Sequence, residues 1–139
     1  MDKSKVNFSK PMLIQSVAFK DVFLLMDGKG ISTACGAGAG KVNCQRSMAS
    51  TGAFKVQKQT DGTFTIESSK YPGVFLRMDG NGIHAFAGSG SGRVNCQFGA
   101  SAWERFKLHE QSDGSYTIES AAFANVFLRM DGNNPTRKE

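Results

Sequence analysis

From Phe64 to Ser68 the chain reads Phe-Thr-Ile-Glu-Ser, with Phe64, Ile66 and Ser68 sharing one side. Alternation over a short run predicts a half-buried β-strand. Three further runs read as strands: Val74-Phe-Leu-Arg-Met78, a stretch around Arg93-Val-Asn-Cys-Gln97, and Trp103-Glu-Arg-Phe-Lys-Leu108, where Phe106 and Leu108 have charged neighbours. Asp61-Gly62, Asp79-Gly80 and Asp113-Gly114 punctuate these runs. Aspartate–glycine between alternating segments signals a hairpin, because glycine accepts the positive φ that tight turns need. No segment keeps apolar residues at i, i+3, i+4 and i+7 for three turns, so almost no helix is expected.

The strand pattern is written more than twice at a spacing of 52 residues. Val22-Phe-Leu-Leu-Met-Asp-Gly28 returns as Val74-Phe-Leu-Arg-Met-Asp-Gly80 and as Val126-Phe-Leu-Arg-Met-Asp-Gly132. Gly36-Ala-Gly-Ala-Gly-Lys-Val-Asn-Cys-Gln45 returns as Gly88-Ser-Gly-Ser-Gly-Arg-Val-Asn-Cys-Gln97. Segments 12–63 and 64–115 share 22 of 52 positions with no gap, so they are copies of one structural unit.

Four strands per unit in a threefold repeat predict an all-β fold of the β-trefoil type, one domain over 1–139 with repeats 12–63, 64–115 and 116–139. The third repeat is abbreviated: it supplies Tyr116–Ser120 and Val126–Met130 and then ends. Lys5-Val-Asn-Phe8, followed by Ser9-Lys10-Pro11, precedes Met12–Ser16 much as Phe106–Leu108 precedes Tyr116–Ser120. Residues 1–11 are therefore expected to complete the third lobe, with 5–8 as its final strand. The alternative is an open edge, which a second copy of the chain would cover to give a homo-oligomer.

Bulk composition narrows the function classes. No stretch approaches the roughly 20 apolar residues of a membrane-spanning helix. The start, Met1-Asp-Lys-Ser-Lys-Val, lacks the apolar run of a secretory signal, so a cytoplasmic location is expected. Cys44 and Cys96 are one position in successive repeats and Cys35 has no counterpart, which is neither a disulfide framework nor a zinc site. A net charge of +5 favours anionic partners. The basic residues are scattered, however, and the cluster Arg137-Lys138 is a tail, which argues against nucleic acid.

Candidate chemistry is sparse. Gly36–Lys41 superficially suits a phosphate loop, but Val42 follows the lysine where a serine or threonine would hold magnesium, so a glycine-rich hairpin is expected and no cofactor. Asp27, Asp79 and Asp131 repeat in turn contexts, where aspartate caps its own backbone and can also meet a hydroxylated ligand. Asn43 and Asn95 lie between apolar neighbours, which suits a buried amide that ties a hairpin. Trp103, the sole tryptophan, is expected against the barrel. His84 and His109 stand at non-equivalent positions without a spaced nucleophile, and no acidic dyad stands out, so no enzymatic activity is expected.

Val94-Asn-Cys-Gln97, Trp103-Glu-Arg-Phe-Lys-Leu108 and Asp113-Gly-Ser-Tyr-Thr-Ile-Glu-Ser120 together resemble a fascin-like (actin-crosslinking type) β-trefoil repeat. The resemblance covers roughly residues 12–132 and implies the trefoil fold, with filament bundling where several trefoils stand in tandem. The first repeat departs from it, with Thr51-Gly-Ala-Phe54 where the second has Trp103-Glu-Arg-Phe106. A ricin-type sugar pocket is not expected: its Q-x-W strand is replaced by Asn-Cys-Gln, and the position of its acidic residue falls on Leu76.

Two functional expectations follow. The first is a lectin-like module that binds carbohydrate through Asp27, Asn43, Asp79, Asn81 and Asn95. The second is a cytoskeletal or scaffold protein whose Lys41, Arg77, Arg93 and Arg129 meet an acidic filament.

Overall fold

The computed structural model describes residues 8–30, 40–45, 53–80 and 93–130. The fold is all-β. Its strands are β1 (Phe23–Asp27), β2 (Lys41–Gln45), β3 (Phe54–Lys58), β4 (Phe64–Ser68), β5 (Val74–Asp79), β6 (Arg93–Phe98), β7 (Phe106–Glu110) and β8 (Tyr116–Ser120). The one helical element among the described residues is a 3-10 turn, Ala102–Glu104. Trp103 therefore sits on that turn rather than on a strand. The turn begins in a capping box, in which the Glu104 carboxylate reaches back to the Ser101 N–H at 2.8 Å.

β1 and β2 form an antiparallel pair, and a second sheet runs β6-β5-β4-β7-β8 with β3 also on β4. The hairpins β3–β4 and β7–β8 are equivalent in register, pairing Val56 with Ile66 and Leu108 with Ile118. Their loops are equivalent too. Gln59 donates its N–H to the Thr63 carbonyl at 2.7 Å, and Gln111 does the same to Ser115 at 2.7 Å. Gly62 and Gly114 take φ near 90° (89° and 88°), as the aspartate–glycine signal predicts.

Alternation places the core. In β3, Phe54 and Val56 are buried while Lys55 and Gln57 are exposed. Phe54, Phe106, Ile66, Leu76 and Met26 are each no more than 1% exposed and belong to one cluster with Val74, Met78 and Cys96. Burying each such large side chain contributes about 1.5–3 kcal/mol.

One corner recurs at the repeat spacing. The Ser16, Ser68 and Ser120 hydroxyls accept from the N–H of Phe19, Tyr71 and Phe123 at 3.0, 2.9 and 3.0 Å. The N–H groups of Val22, Val74 and Val126 then donate back to the carbonyls of those three aromatic residues at 3.2, 3.1 and 3.2 Å. Just before each valine the backbone turns left-handed, at Asp21 (φ 63°), Gly73 (86°) and Asn125 (67°). Aspartate and asparagine tolerate this region better than other side chains because they can bond locally. Bridges Gln15–Phe23, Glu67–Phe75 and Glu119–Phe127 close each corner.

Three expectations need correction or restriction. Gly28 and Gly80 lack a positive φ, so Asp27-Gly28 and Asp79-Gly80 are not tight hairpin turns. Their glycines answer a steric need instead: a Cβ on Gly28 would lie 3.0 Å from Val74 Cγ1, and one on Gly80 would lie 2.8 Å from Phe123 Cγ. Met12–Ser16 and Val126–Met130 are not regular strands; they are held by isolated bridges at Met12, Gln15 and Phe127. The proposed final strand, residues 5–8, lies outside the described residues except for Phe8, whose ring centroid is 5.3 Å from that of Phe64.

Candidate functional site

β1 and β2 pair Asp27 with Lys41 and Leu25 with Asn43. Directly opposed residues share a face, and residues two apart along a strand share it too. All four side chains therefore leave the hairpin on one side, while Leu24 and Met26 face the core. Leu25, 6% exposed, forms an apolar floor. Across it stands Tyr71 from the corner of the next repeat, its backbone fixed by the Ser68 hydroxyl.

These residues, with Met26 and Lys29, line a polar pocket of ≈190 Å³. It brings together Asp27, Asn43 and Lys41, each expected from the sequence as a contact residue. Asp27 Oδ1 accepts from the Lys29 N–H at 3.1 Å, which aims the carboxylate at the end of β1. A carboxylate accepts only, a carboxamide does both, and an ammonium donates. Together they supply the mixed donors and acceptors that a polyol needs, and Tyr71 adds an aromatic ring to the lining, with Lys70 Nζ 5.9 Å from the ring centre. The volume is below the ~300–1,000 Å³ of drug-sized clefts, which restricts the pocket to something like one sugar ring.

The amides at equivalent positions differ. Asn43 is exposed and faces this pocket, contrary to the expectation of a buried hairpin tie. Asn95, 9% exposed, does play that internal role: its Oδ1 accepts from Arg77 Nη1 at 3.2 Å. Arg77 corrects a second expectation. It is 3% exposed and cannot be a surface cation; its Nε lies 3.7 Å from Glu104 Oε2 and its guanidinium carbon 4.6 Å from the centre of the Trp103 ring. Burial demands such partners, because an unpaired charge away from water is expensive.

Repeat equivalence explains the difference. Arg77 stands where Leu25 does, and Phe123 where Tyr71 does. Trp103 touches both, meeting Phe123 edge-on with centroids 5.2 Å apart. The indole thus sits against the residues that correspond, one repeat further on, to the floor and wall of the first pocket, and its own counterpart in the first repeat is the smaller Thr51.

The remaining expected residues are dispersed. Asp79 is half-buried at the end of β5, and Arg129 is exposed in the last described segment. Asn81, Asp131, Cys35, His84 and the Arg93 side chain lie outside the described residues. His109 Nε2 is 2.7 Å from Glu119 Oε1, and Glu119 Oε2 accepts the Asn125 N–H at 2.6 Å. That Glu119 contact caps the left-handed corner, as Glu67 caps Gly73 at 2.7 Å. The same hydrogen bonds, that from Asn125 first and then that from His109, hold the Glu119 pKa below its ordinary value.

Cys96 is fully buried, its Sγ 3.7 Å from the Asp27 carbonyl, and burial followed by the nearby Asp27 charge pushes its pKa up to about 11. Among the described residues no group of three His, Cys, Asp or Glu side chains is placed to hold a metal ion. No helix among them is long and apolar enough to cross a membrane.

Sequence reasoning missed Tyr71. The available signal is that positions 19, 71 and 123 read Phe, Tyr, Phe, so this one alone of the three carries a hydroxyl.

No family model matches the chain. No curated protein matches it either. Among solved structures it is similar to a mosquitocidal holotoxin, at a TM-score of 0.63 and 9% identity over 81% of this chain and 13% of that chain. At that identity the likeness extends to the fold alone, and the chain spans a small fraction of the toxin's length.

Proposed function

We propose that the chain is a β-trefoil recognition module that binds carbohydrate, with its site in the pocket between the β1–β2 hairpin and Tyr71. The support for the trefoil is the corner repeated at residues 16–22, 68–74 and 120–126, with its left-handed residue recurring at Asp21, Gly73 and Asn125. The support for the ligand class is one observation: Asp27, Asn43 and Lys41 converge with a partly exposed tyrosine on an apolar floor. In this reading Asp27 and Asn43 bond adjacent hydroxyls, Lys41 donates from the rim, and the sugar ring lies on Tyr71. The module performs no covalent chemistry.

The filament-binding alternative loses Arg77, which is turned inward.

A broad glycan array, read at low and high salt, tests the carbohydrate reading. Saccharide binding should survive salt, because hydrogen bonds and ring packing are screened less than charge pairs. Asn43→Ala and Tyr71→Ala should each weaken the selected saccharide at least tenfold in calorimetry. An array without saccharide binding, or binding indifferent to both substitutions, ends this reading.

A further inference from the structure

The pocket between the β1–β2 hairpin and Tyr71 carries more positive charge than the binding of hydroxyls requires. Lys29 and Lys41 line it, and Lys70 holds its Nζ over the Tyr71 ring, 5.9 Å from the centre. Among the described lining residues Asp27 is the one acid, and it stands directly across the strand pair from Lys41. One lysine is thereby offset, and two positive charges remain. All three lysines are exposed, so none of them serves the core.

The repeat separates what the fold uses from what this pocket adds. Asp27 and Asn43 recur as Asp79 and Asn95, and Lys41 is exchanged for another base, Arg93. Lys29 does not recur: Asn81 and Asn133 hold its position. Nor does Lys70, whose counterparts are Ala18 and Ala122. Both unrepeated lysines thus fall at the copy where Leu25 and Tyr71 line a pocket, and both are missing from the copy where Trp103 packs on Arg77 and Phe123. A scaffold role would be common to the copies. Charge added only at the open one answers to a ligand.

We propose that the ligand of this pocket is an acidic saccharide, a sugar ring bearing a carboxylate or sulfate group that Lys29 and Lys70 receive. The inference rests on the carbohydrate reading above and adds the sign of the ligand's charge. Ammonium groups form charge-assisted hydrogen bonds to either acid. Asp27 repels the same group, so the ring is oriented with its hydroxyls on Asp27 and Asn43 and its acid towards the lysines. Attraction at an exposed rim is screened by salt, whereas the hydrogen bonds to the hydroxyls are screened less. Ionic strength therefore separates the acidic preference from the saccharide binding beneath it.

Calorimetry on matched neutral and acidic sugars tests this. The probes are methyl galactoside, methyl galacturonide and methyl galactoside 6-sulfate, with the same three compounds in the gluco series. At low salt the acidic member should bind at least fivefold tighter than its neutral parent, and the ratio should shrink below twofold at high salt. Preference for either acid supports the proposal. Lys29→Gln and Lys70→Gln, both at exposed positions, should each lower the ratio, and the double variant should bring it close to one. Neutral sugars held as tightly as their acids overturn the proposal and leave the carbohydrate reading standing. An acidic preference that survives the double substitution also overturns it, since other cations would then read the charge. So does sodium sulfate competing as strongly as the sugar sulfate at matched ionic strength, which would make this a site for bare anions. Silence towards every saccharide, charged and neutral, ends this proposal together with the carbohydrate reading.

Discussion

Gly28 and Tyr71 stand so close that a Cβ on the glycine would lie 3.1 Å from the Tyr71 Cβ. The same approach joins Gly80 to Phe123, where a new Cβ would lie 2.9 Å from the aromatic Cβ and closer still to the ring. The first and second repeats thus each press this glycine against the corner aromatic of the next. Gly80→Ala should cost about 1–3 kcal/mol through overpacking, since backbone and ring root must both shift. Gly28→Ala, with its nearest atoms at 3.0 Å on Val74, should cost less. Denaturant midpoints of the two variants at unchanged slope provide the comparison.

Arg77 and Glu104 form a buried pair in which each also has a second anchor, Asn95 for the arginine and Ser101 for the glutamate. Arg77→Leu imitates the first repeat but strands the Glu104 carboxylate, and should destabilise by roughly 3 kcal/mol. Adding Glu104→Gln to that variant should recover part of the loss, because a neutral amide needs no counter-charge. A double-mutant cycle measures the coupling; additive costs would mean that the pair acts as two independent packing residues.

Trp103→Ala, made alone, should leave Arg77 and Phe123 lining a recess like the one beside Leu25 and Tyr71. On the carbohydrate reading, calorimetry of this variant should detect an added weak site, while the first-repeat affinity stays within twofold. An unaltered stoichiometry would mean that the floor provided by Leu25 is itself required.

Much of this was legible from local signals. The alternation read at Phe64–Ser68 and at Phe106 and Leu108 became β4 and β7, and the hairpin loops follow from Asp61-Gly62 and Asp113-Gly114, where a few adjacent residues determine the geometry. The repeat then carried each assignment from one copy to the other. What stayed hidden depends on residues far apart in the chain. Arg77 reads as a surface cation until Trp103 and Glu104 fold over it. Gly80 reads as a turn residue until Phe123 arrives from the following repeat. Tyr71 is marked in the sequence only by the hydroxyl that Phe19 and Phe123 lack, and the packed hairpin is what brings it to the pocket. Asn43 and Asn95 are identical in their local sequence, yet one faces a pocket and the other an arginine, since Leu25 and Arg77 differ across the strand pair.

Glu119 links the left-handed corner at Asn125 to acid stability. Its pKa is depressed in the folded state, so its contribution is present above the ordinary glutamate value of 4.5 and is lost as pH falls through the lower folded value. Asp61 and Asp113 shift the same way, through bonds first from the Thr63 and Ser115 hydroxyls and then from their N–H groups, but both are exposed and should contribute little. Stability should therefore be level from neutral pH down to about 4.5 and decline below it. Glu119→Gln keeps an acceptor for the Asn125 N–H and removes the charge, so its melting temperature should fall less steeply with acid. Equal acid slopes for the two proteins would place the titrating group elsewhere.

The thiols offer a check on the packing between the first two repeats. Cys96 Sγ lies against the Asp27 and Lys41 carbonyls, at 3.7 and 3.9 Å, so reagent must part β6 from the β1–β2 hairpin to reach it. With its pKa pushed up to about 11, less than roughly one part in a hundred is thiolate at pH 8, and the thiolate is the reactive form. Cys44, at the equivalent position, is only partly buried. Alkylation of the native protein at pH 8, followed by peptide mapping, should label Cys44 at least tenfold faster than Cys96. Denaturant should bring the two rates together. Comparable labelling in the native state would mean that the two repeats part readily, and the pocket built from Asp27, Lys41 and Tyr71 would then lack a fixed wall.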